Sequence, residues 1–387
     1  MKGILLPDLH WGATNPKQFR QELDECIFTK IKELDELDFI IFLGDFWDSK
    51  QYLSSDTTSY GLCFIQDIIE ATQPFNTEIV MIEGTKTHDA LQTAFCHKIF
   101  HDIDGVSRFN AYSKVTELTN FCGKQCNVLL IPEEYILDQD AYYEEYFQKR
   151  YDFIFGHGMV DKIWYAKRNK DSQSSISKYM SAPVFGVDEL LKVGRYVYFG
   201  HIHSRLSYGD KNRFKYGGPV TSWEFGKNET PGYYLIDYNE NTGSIYEEFI
   251  ENNMAPVLIT KAISINETIS LTDLNKMIDN IIAREMSYAD KLRLIINIDP
   301  SIDNFNSIKD FLTTKLGEMN YIKFVISTDN CTDTDTIHQK IAEEKQTKGY
   351  VFDRNLDIES RIQQFINSHS GKDISIGKIK MYLSMKK

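Results

Sequence analysis

The chain has 387 residues, 42% of them hydrophobic and 13% aromatic, which supplies more than one packed core and excludes wholesale disorder. Its net charge of −13, with no long basic tract, leaves any polyanion-binding function in need of local positive charge, part of which bound divalent ions would supply. No apolar run approaches the ~18 residues of a membrane span, no signal-peptide pattern opens the chain, and the six cysteines form no CxxC pair, so a soluble, cytoplasmic protein with reduced thiols is expected.

The first ~250 residues repeat one pattern, an apolar run of strand length, a tight turn and a helical stretch. The runs are GILLP (3–7), FIIFL (39–43), IVMI (79–82), NVLLI (127–131), DFIFG (152–156) and YVYFG (196–200). They are continuous rather than alternating, as in strands buried on both faces. Asn15-Pro16 reads as a helix start, followed by Phe19, Leu23, Ile27 and Ile31 on one face. Residues 59–72 and 139–149 read similarly. From about 213 short strands follow (RFKY, GYYLID, SIYEEF), separated by YGGP and NETPG turns. A fresh α/β pattern then begins, with VLITKAI and KLRLIINI as strands, a helix around 306–316 and the strand YIKFVIS. Beyond about 350 two short helices are expected, joined by HSGKD. The expected fold class is α/β, a three-layer sandwich over 1–255, a smaller α/β domain over 256–346 and a two-helix tail over 347–387.

Five of these strands run into metal-type ligands. GILLP leads to Asp8-Leu9-His10, FIIFLG to Asp45, IVMIEG to His88-Asp89, FIFG to His157 and YVYFG to His201-Ile202-His203. Ligand crevices in α/β sheets lie beyond the carboxyl ends of strands, so these groups are expected to converge. A single histidine after a strand is usually a hydrogen-bonded structural residue, and His97, His101, His338 and His369 receive that reading. Five histidines at strand ends, with two aspartates among them, form a set.

The segments PDLHWG, LGDFWD, THD, FGHG and FGHIH resemble the ordered signatures D-x-H, G-D-x-x-D, G-N-H-D/E, G-H and G-H-x-H of the calcineurin-like metallophosphoesterases, over about 8 to 203. The resemblance implies an α/β/β/α metallophosphoesterase sandwich and a hydrolase with two divalent ions, Mn²⁺ above all, with Mg²⁺, Fe or Zn as other candidates. Two ions ~3.5–4 Å apart bind a phosphodiester and stabilise both the attacking and the leaving oxygen. By the same resemblance Asp8, His10 and His203 are ligands of the first ion, Asp45 bridges, His157 and His201 hold the second, and His88 is the catalytic acid at the leaving oxygen. Asp48 and Asp89 are expected to orient ligands. One place departs from the pattern: the family's Asn ligand before the catalytic His is Thr87 here, within GTKTHD. A hydroxyl is a poorer ligand than an amide oxygen, so a weaker second site is expected, with Thr85 or a backbone carbonyl as other candidates.

Within the superfamily the chain looks most like the SbcD/Mre-type DNA recombination nuclease subunit, in a bacteriophage version. The likeness rests on YGGPVTSWEFG after GHIH, the small α/β domain where that family has its DNA-facing cap, and the tail. It implies an exonuclease and endonuclease of DNA repair, recombination and replication, a homodimer whose partners are DNA and a coiled-coil ABC-type ATPase of the SbcC kind. Residues 354–387 carry seven basic and three acidic residues, and Ile358, Ile362, Phe365, Ile366 and Leu383 suit docking. KIWYAKRNK (162–170) suits phosphate contact. A metallophosphatase or phosphodiesterase for small nucleotides or phosphoproteins, and a scaffold without catalysis, are the alternatives.

Overall fold

Apolar runs flanked by turn residues become strands, and the strands fall into sheets whose cores alternate along each run. The structure, a computed structural model, describes residues 1–101, 108–136, 138–160, 183–226 and 229–327. The chain divides into two compact units, Met1–Ile259 with Ile281–Leu292, and Thr260–Asn280 with the described residues from Arg293 onward. The expected tail over 347–387, the end of the expected 256–346 domain and the basic segment 162–170 lie outside the described residues. Among the described residues no helix is long and apolar enough to cross a membrane.

The strands of the larger unit are β1 (Lys2–Leu6), β2 (Phe39–Phe42), β3 (Glu78–Ile82), β4 (Phe109–Tyr112), β5 (Thr116–Leu118) and β6 (Val128–Ile131). They continue with β7 (Tyr151–His157), β8 (Met159–Val160), β9 (Val184–Phe185), β10 (Gly194–Gly200), β11 (Leu206–Tyr208), β12 (Phe214–Tyr216), β13 (Gly232–Asn239) and β14 (Ser244–Glu251). One sheet has the order β14-β13-β1-β2-β3-β4 and the other β11-β12-β10-β7-β6-β5. Strands β1 to β4 pair in parallel, as do β6-β7-β10-β12, and antiparallel strands close every edge but the one at β4.

Successive side chains of one strand enter different cores. Leu5, Phe39, Ile41, Val80 and Ile82 of the first sheet share a core with Val128, Leu130, Phe153, Phe155 and Tyr198 of the second. Their neighbours Ile4, Leu6, Ile40, Phe42, Ile79 and Met81 pack on helical residues Phe19, Leu23, Ile27, Ile31, Phe64, Ile65 and Ile68. On the far side, Leu129, Ile131, Ile154, Val197 and Phe199 cover Tyr143, Val187 and Leu190. The six long apolar runs thus divide three to each of two sheets. Helix, sheet, sheet and helix make four layers, one more than the three read from the strand pattern; a second sheet was expected only from the family resemblance.

The expected helix after Asn15 begins at Pro16, with the Asn15 side chain accepting from the Lys17 and Gln18 amides, and it passes through a π turn at Asp24–Phe28. The helix over Asp56–Thr72 starts at Ser55, whose hydroxyl accepts from the Thr58 amide. The helix expected over 139–149 is regular only over Gln139–Tyr143. In the smaller unit, β15 (Leu258–Ile265), β16 (Lys291–Ile298) and β17 (Ile322–Ser327) form a sheet in that order. The helices Leu271–Glu285 and Phe305–Gly317 are tied by Lys315, whose ammonium meets Asp279 at 2.5 Å and donates to Asn275 at 2.6 Å.

Glu22, on the first helix, is buried, and its carboxylate accepts from the Asn252 amide at 2.6 Å. Burial pushes its pKa from 4.5 up to about 7 against the opposing effect of that hydrogen bond. The folded state therefore binds more protons than the unfolded state between these values, and stability falls as pH rises through that window. Glu22→Gln is expected to melt higher than the native chain at pH 8, by about 1–3 kcal/mol, with the gap closing towards pH 5. Thermal melts across that range check it; a gap that does not change with pH contradicts it.

Candidate metal centre

Six parallel strands end at one place. Beyond β1 lie Asp8 and His10, beyond β2 Asp45 and Asp48, beyond β3 Thr85, His88 and Asp89, and beyond β6 Glu133. His157 is the last residue of β7, and His201 and His203 follow β10. The two sheets are stitched at these ends: the His201 amide donates to Asp8 Oδ1 at 2.8 Å, and His157 Nδ1–H to the Leu43 carbonyl at 2.7 Å. The loops after β1 and β2 are zipped by His10 N–H to Asp45 O, Trp11 N–H to Phe46 O and Asp48 N–H to Trp11 O.

The approach is too close for side chains at two glycines. A Cβ on Gly84 would lie 2.1 Å from the Asp45 nitrogen, and one on Gly200 would lie 2.3 Å from the Leu43 carbonyl oxygen. Four donor-bearing residues, Asp8, His10, Asp45 and His201, have positive φ, between 45° and 92°. Such backbone costs on the order of 1–3 kcal/mol per residue and collects where function requires it.

Asp8, His10, Asp45 and His203 form one set of donor atoms within 4.8 Å of one another, and Asp45, His157 and His201 form another. Asp45 belongs to both. These buried groups could hold metal. Each of three imidazoles is anchored through Nδ1, which turns Nε2 inward. His10 is held by Asp48 at 3.3 Å, His157 by the Leu43 carbonyl, and His203 by Glu224 at 3.4 Å. His10 Nε2 and His203 Nε2 then lie 3.1 Å apart, and His157 Nε2 lies 3.3 Å from Asp45. Such anchoring sets the tautomer and presents a lone pair. Asp8 Oδ2 is buried with no hydrogen-bond partner among the described residues, an acceptor suited to a cation.

Electrostatics agree with the geometry. Burial raises the Asp45 carboxyl, but His157, His10 and His88 outweigh it and hold the group well below the usual carboxylate range. Burial likewise lowers the His157 imidazole, and the Asp45 carboxylate reverses the sign, to about 10.

His88 is half-buried, its ring 4.7 Å from that of His10, and its Nδ1–H donates to the Asp48 carbonyl at 2.5 Å. Asp89 holds no donor position. It accepts from the Trp47 amide at 2.9 Å and the Gly84 amide at 2.7 Å, joining the loops that carry Asp45 and Thr85. Burial, then the Asp45 charge, raises its pKa to about 7.

The structure separates two candidates that the sequence left open. Thr87 is exposed and does not reach the cluster; the hydroxyl inside it belongs to Thr85. Thr85 Oγ1 lies 3.3 Å from Asp45 Oδ2, 3.3 Å from His157 Nε2 and 3.2 Å from His201 Nδ1. Three further residues escaped the sequence reading. Glu133 lies 3.2 Å from His201, Glu224 holds His203, and Trp223 packs on His10 and His203 with ring centroids 4.6 and 5.1 Å apart. For Glu133 a signal existed, since NVLLI is the one long strand whose polar end, Pro132-Glu133-Glu134, was given no role.

Asp89→Ala leaves two buried amides without acceptors and is expected to destabilise the chain by about 2–4 kcal/mol. Asp89→Asn, with one oxygen to offer, should fall between. Urea denaturation measures both, and an unchanged midpoint for the alanine variant would show that the two loops hold without this tether.

Compared with known proteins, the chain matches no protein-family model and no curated protein, so its chemistry is read from the donor geometry itself.

Proposed function

We propose that this chain is a two-metal phosphodiesterase of the calcineurin-like type and that its substrate is DNA, in the manner of the SbcD/Mre nuclease subunits. The observation that supports it most is the sharing of Asp45 by two donor sets, Asp8–His10–Asp45–His203 and Asp45–His157–His201. A carboxylate common to two such sets is what a bridged pair of ions requires. The mixed imidazole and carboxylate donors suit Mn²⁺, with Mg²⁺, Fe or Zn as alternatives. The helix–sheet–sheet–helix layering and the placement of the groups at strand ends agree with this reading.

The ions supply Lewis acidity towards the phosphoryl oxygens and a nucleophile at neutral pH. The residues of the chain do the rest. Asp8, His10 and His203 would hold one ion, His157 and His201 the other, and Asp45 both. Asp48, Glu224 and the Leu43 carbonyl fix the imidazoles that present these donors. His88, oriented by the Asp48 carbonyl, stands beside the first set to protonate the leaving oxygen. Trp223, from the stretch that resembles the nuclease family after GHIH, packs on His10 and His203 and would form one wall of the site.

DNA as substrate rests on that resemblance, and the acidic charge of the chain has to be met locally. A chain of −13 meets a polyanion best where divalent cations collect. The coiled-coil ATPase partner, the homodimer and the role in repair and recombination belong to the same proposal.

The purified protein with Mn²⁺ is expected to degrade end-labelled duplex DNA. Asp45→Ala should abolish this and lower metal content from about two ions per chain to well below one. His88→Asn should keep its metal and lose about 10²-fold in turnover. Hydrolysis of p-nitrophenyl phosphate without attack on DNA would favour the small-substrate phosphatase. Two ions retained in Asp45→Ala would overturn the bridging role.

A further inference from the structure

We infer that Glu133 is a ligand of the second ion and that its carboxylate takes the place filled by a neutral amide in the calcineurin-like pattern. The inference rests on the two-metal reading above and adds to it a donor that no motif marks. Glu133 is 6% exposed and stands two residues beyond β6, the one strand of the six whose end had no assigned role. Its Oε2 lies 3.2 Å from His201 Nδ1, 3.9 Å from His157 Nε2 and 3.1 Å from Thr85 Oγ1. Its other oxygen accepts from the Tyr135 hydroxyl at 2.9 Å, and the Tyr135 ring lies under the Lys86 ammonium. One oxygen is therefore anchored and the other is presented to the groups that belong to the second set.

Charge makes the same argument. Asp8, Asp45 and Glu133 are three carboxylates, each at most 6% exposed, and no Lys or Arg pairs with any of them among the described residues. A buried anion without a cation is costly. Among the described residues the neighbouring imidazoles are the counter-groups in reach, and these are the groups a metal claims for itself. Two divalent ions would offset the charge of these three carboxylates.

A carboxylate at the second site also reverses the expectation drawn from Thr87. A hydroxyl in place of an amide predicts a loose second ion; a carboxylate in place of an amide predicts a tight one. Thr85 Oγ1, in contact with Asp45, His157, His201 and Glu133, then serves as a hydrogen-bond donor to the carboxylates rather than as the replacement ligand.

Two measurements on the full chain test this. Calorimetric titration with Mn²⁺ should give two tight steps in the native protein and, in Glu133→Gln, one unchanged step and one weakened by tenfold or more. The unchanged step reports that the variant is folded. The structure of the Mn²⁺-loaded native protein, with ions located by anomalous scattering, separates a ligand from a residue that only steers His201. A Glu133 oxygen within about 2.5 Å of the second ion is the expected result. A Glu133 carboxylate held only to His201, or two unchanged steps in Glu133→Gln, would overturn the role of Glu133 alone. A native chain that takes up no Mn²⁺ would overturn the two-metal reading with it.

Discussion

Asp45 places a carboxylate, 2% exposed, 3.3 Å from His157 Nε2 and 3.6 Å from His10 Nε2, and a charge so enclosed has to be matched from several directions at once. No single strand can do that. The match needs donors from both sheets, so the common core of Phe39, Ile41, Phe153 and Phe155 is also what sets the register of the site. If the sheets slid past each other, the bonds from His157 to Leu43 and from His201 to Asp8 would break before any core residue became exposed. Packing and chemistry are coupled through those two contacts.

Such a site is strained by design. Asp8, His10, Asp45 and His201 hold positive φ without being glycine. Gly84 and Gly200 give the clearance that lets neighbouring backbone pass. The strain is contained because Asp89 pins two loops from beneath, and because backbone bonds zip the loops after β1 and β2. Bound cations would relieve the remaining imbalance of charge, since three buried carboxylates face imidazoles and, among the described residues, no Lys or Arg. Metal binding and folding are then linked, and ions that prefer the native state stabilise it by mass action.

The strands and their terminal donors were legible in the sequence because a buried parallel strand is a continuous apolar run and its end is an abrupt polar change. Asp8, His10, Asp45, His157, His201 and His203 all sit at such changes, and the structure brings them together. The division into two sheets was implied by the resemblance and was not legible in the strand pattern. Burial on both faces says how deep a strand lies and nothing of which strands flank it. Thr85 and Thr87 could not be told apart in the sequence, because counting back from His88 follows the motif, whereas position in the site follows the end of β3, three residues before Thr85. Glu133 was hidden by its chemistry, since acidic residues after a strand are ordinary turn formers. Glu224 was hidden by distance along the chain, since nothing local ties it to His203.

The proposed joining of two ions by Asp45 is tested by electron paramagnetic resonance of the Mn²⁺-loaded protein. Two Mn²⁺ ions bridged at about 3.5–4 Å are magnetically coupled. At saturation the account predicts a coupled spectrum that is absent in Asp45→Ala. A native protein that shows only the hyperfine pattern of isolated Mn²⁺, however many ions it binds, would contradict it.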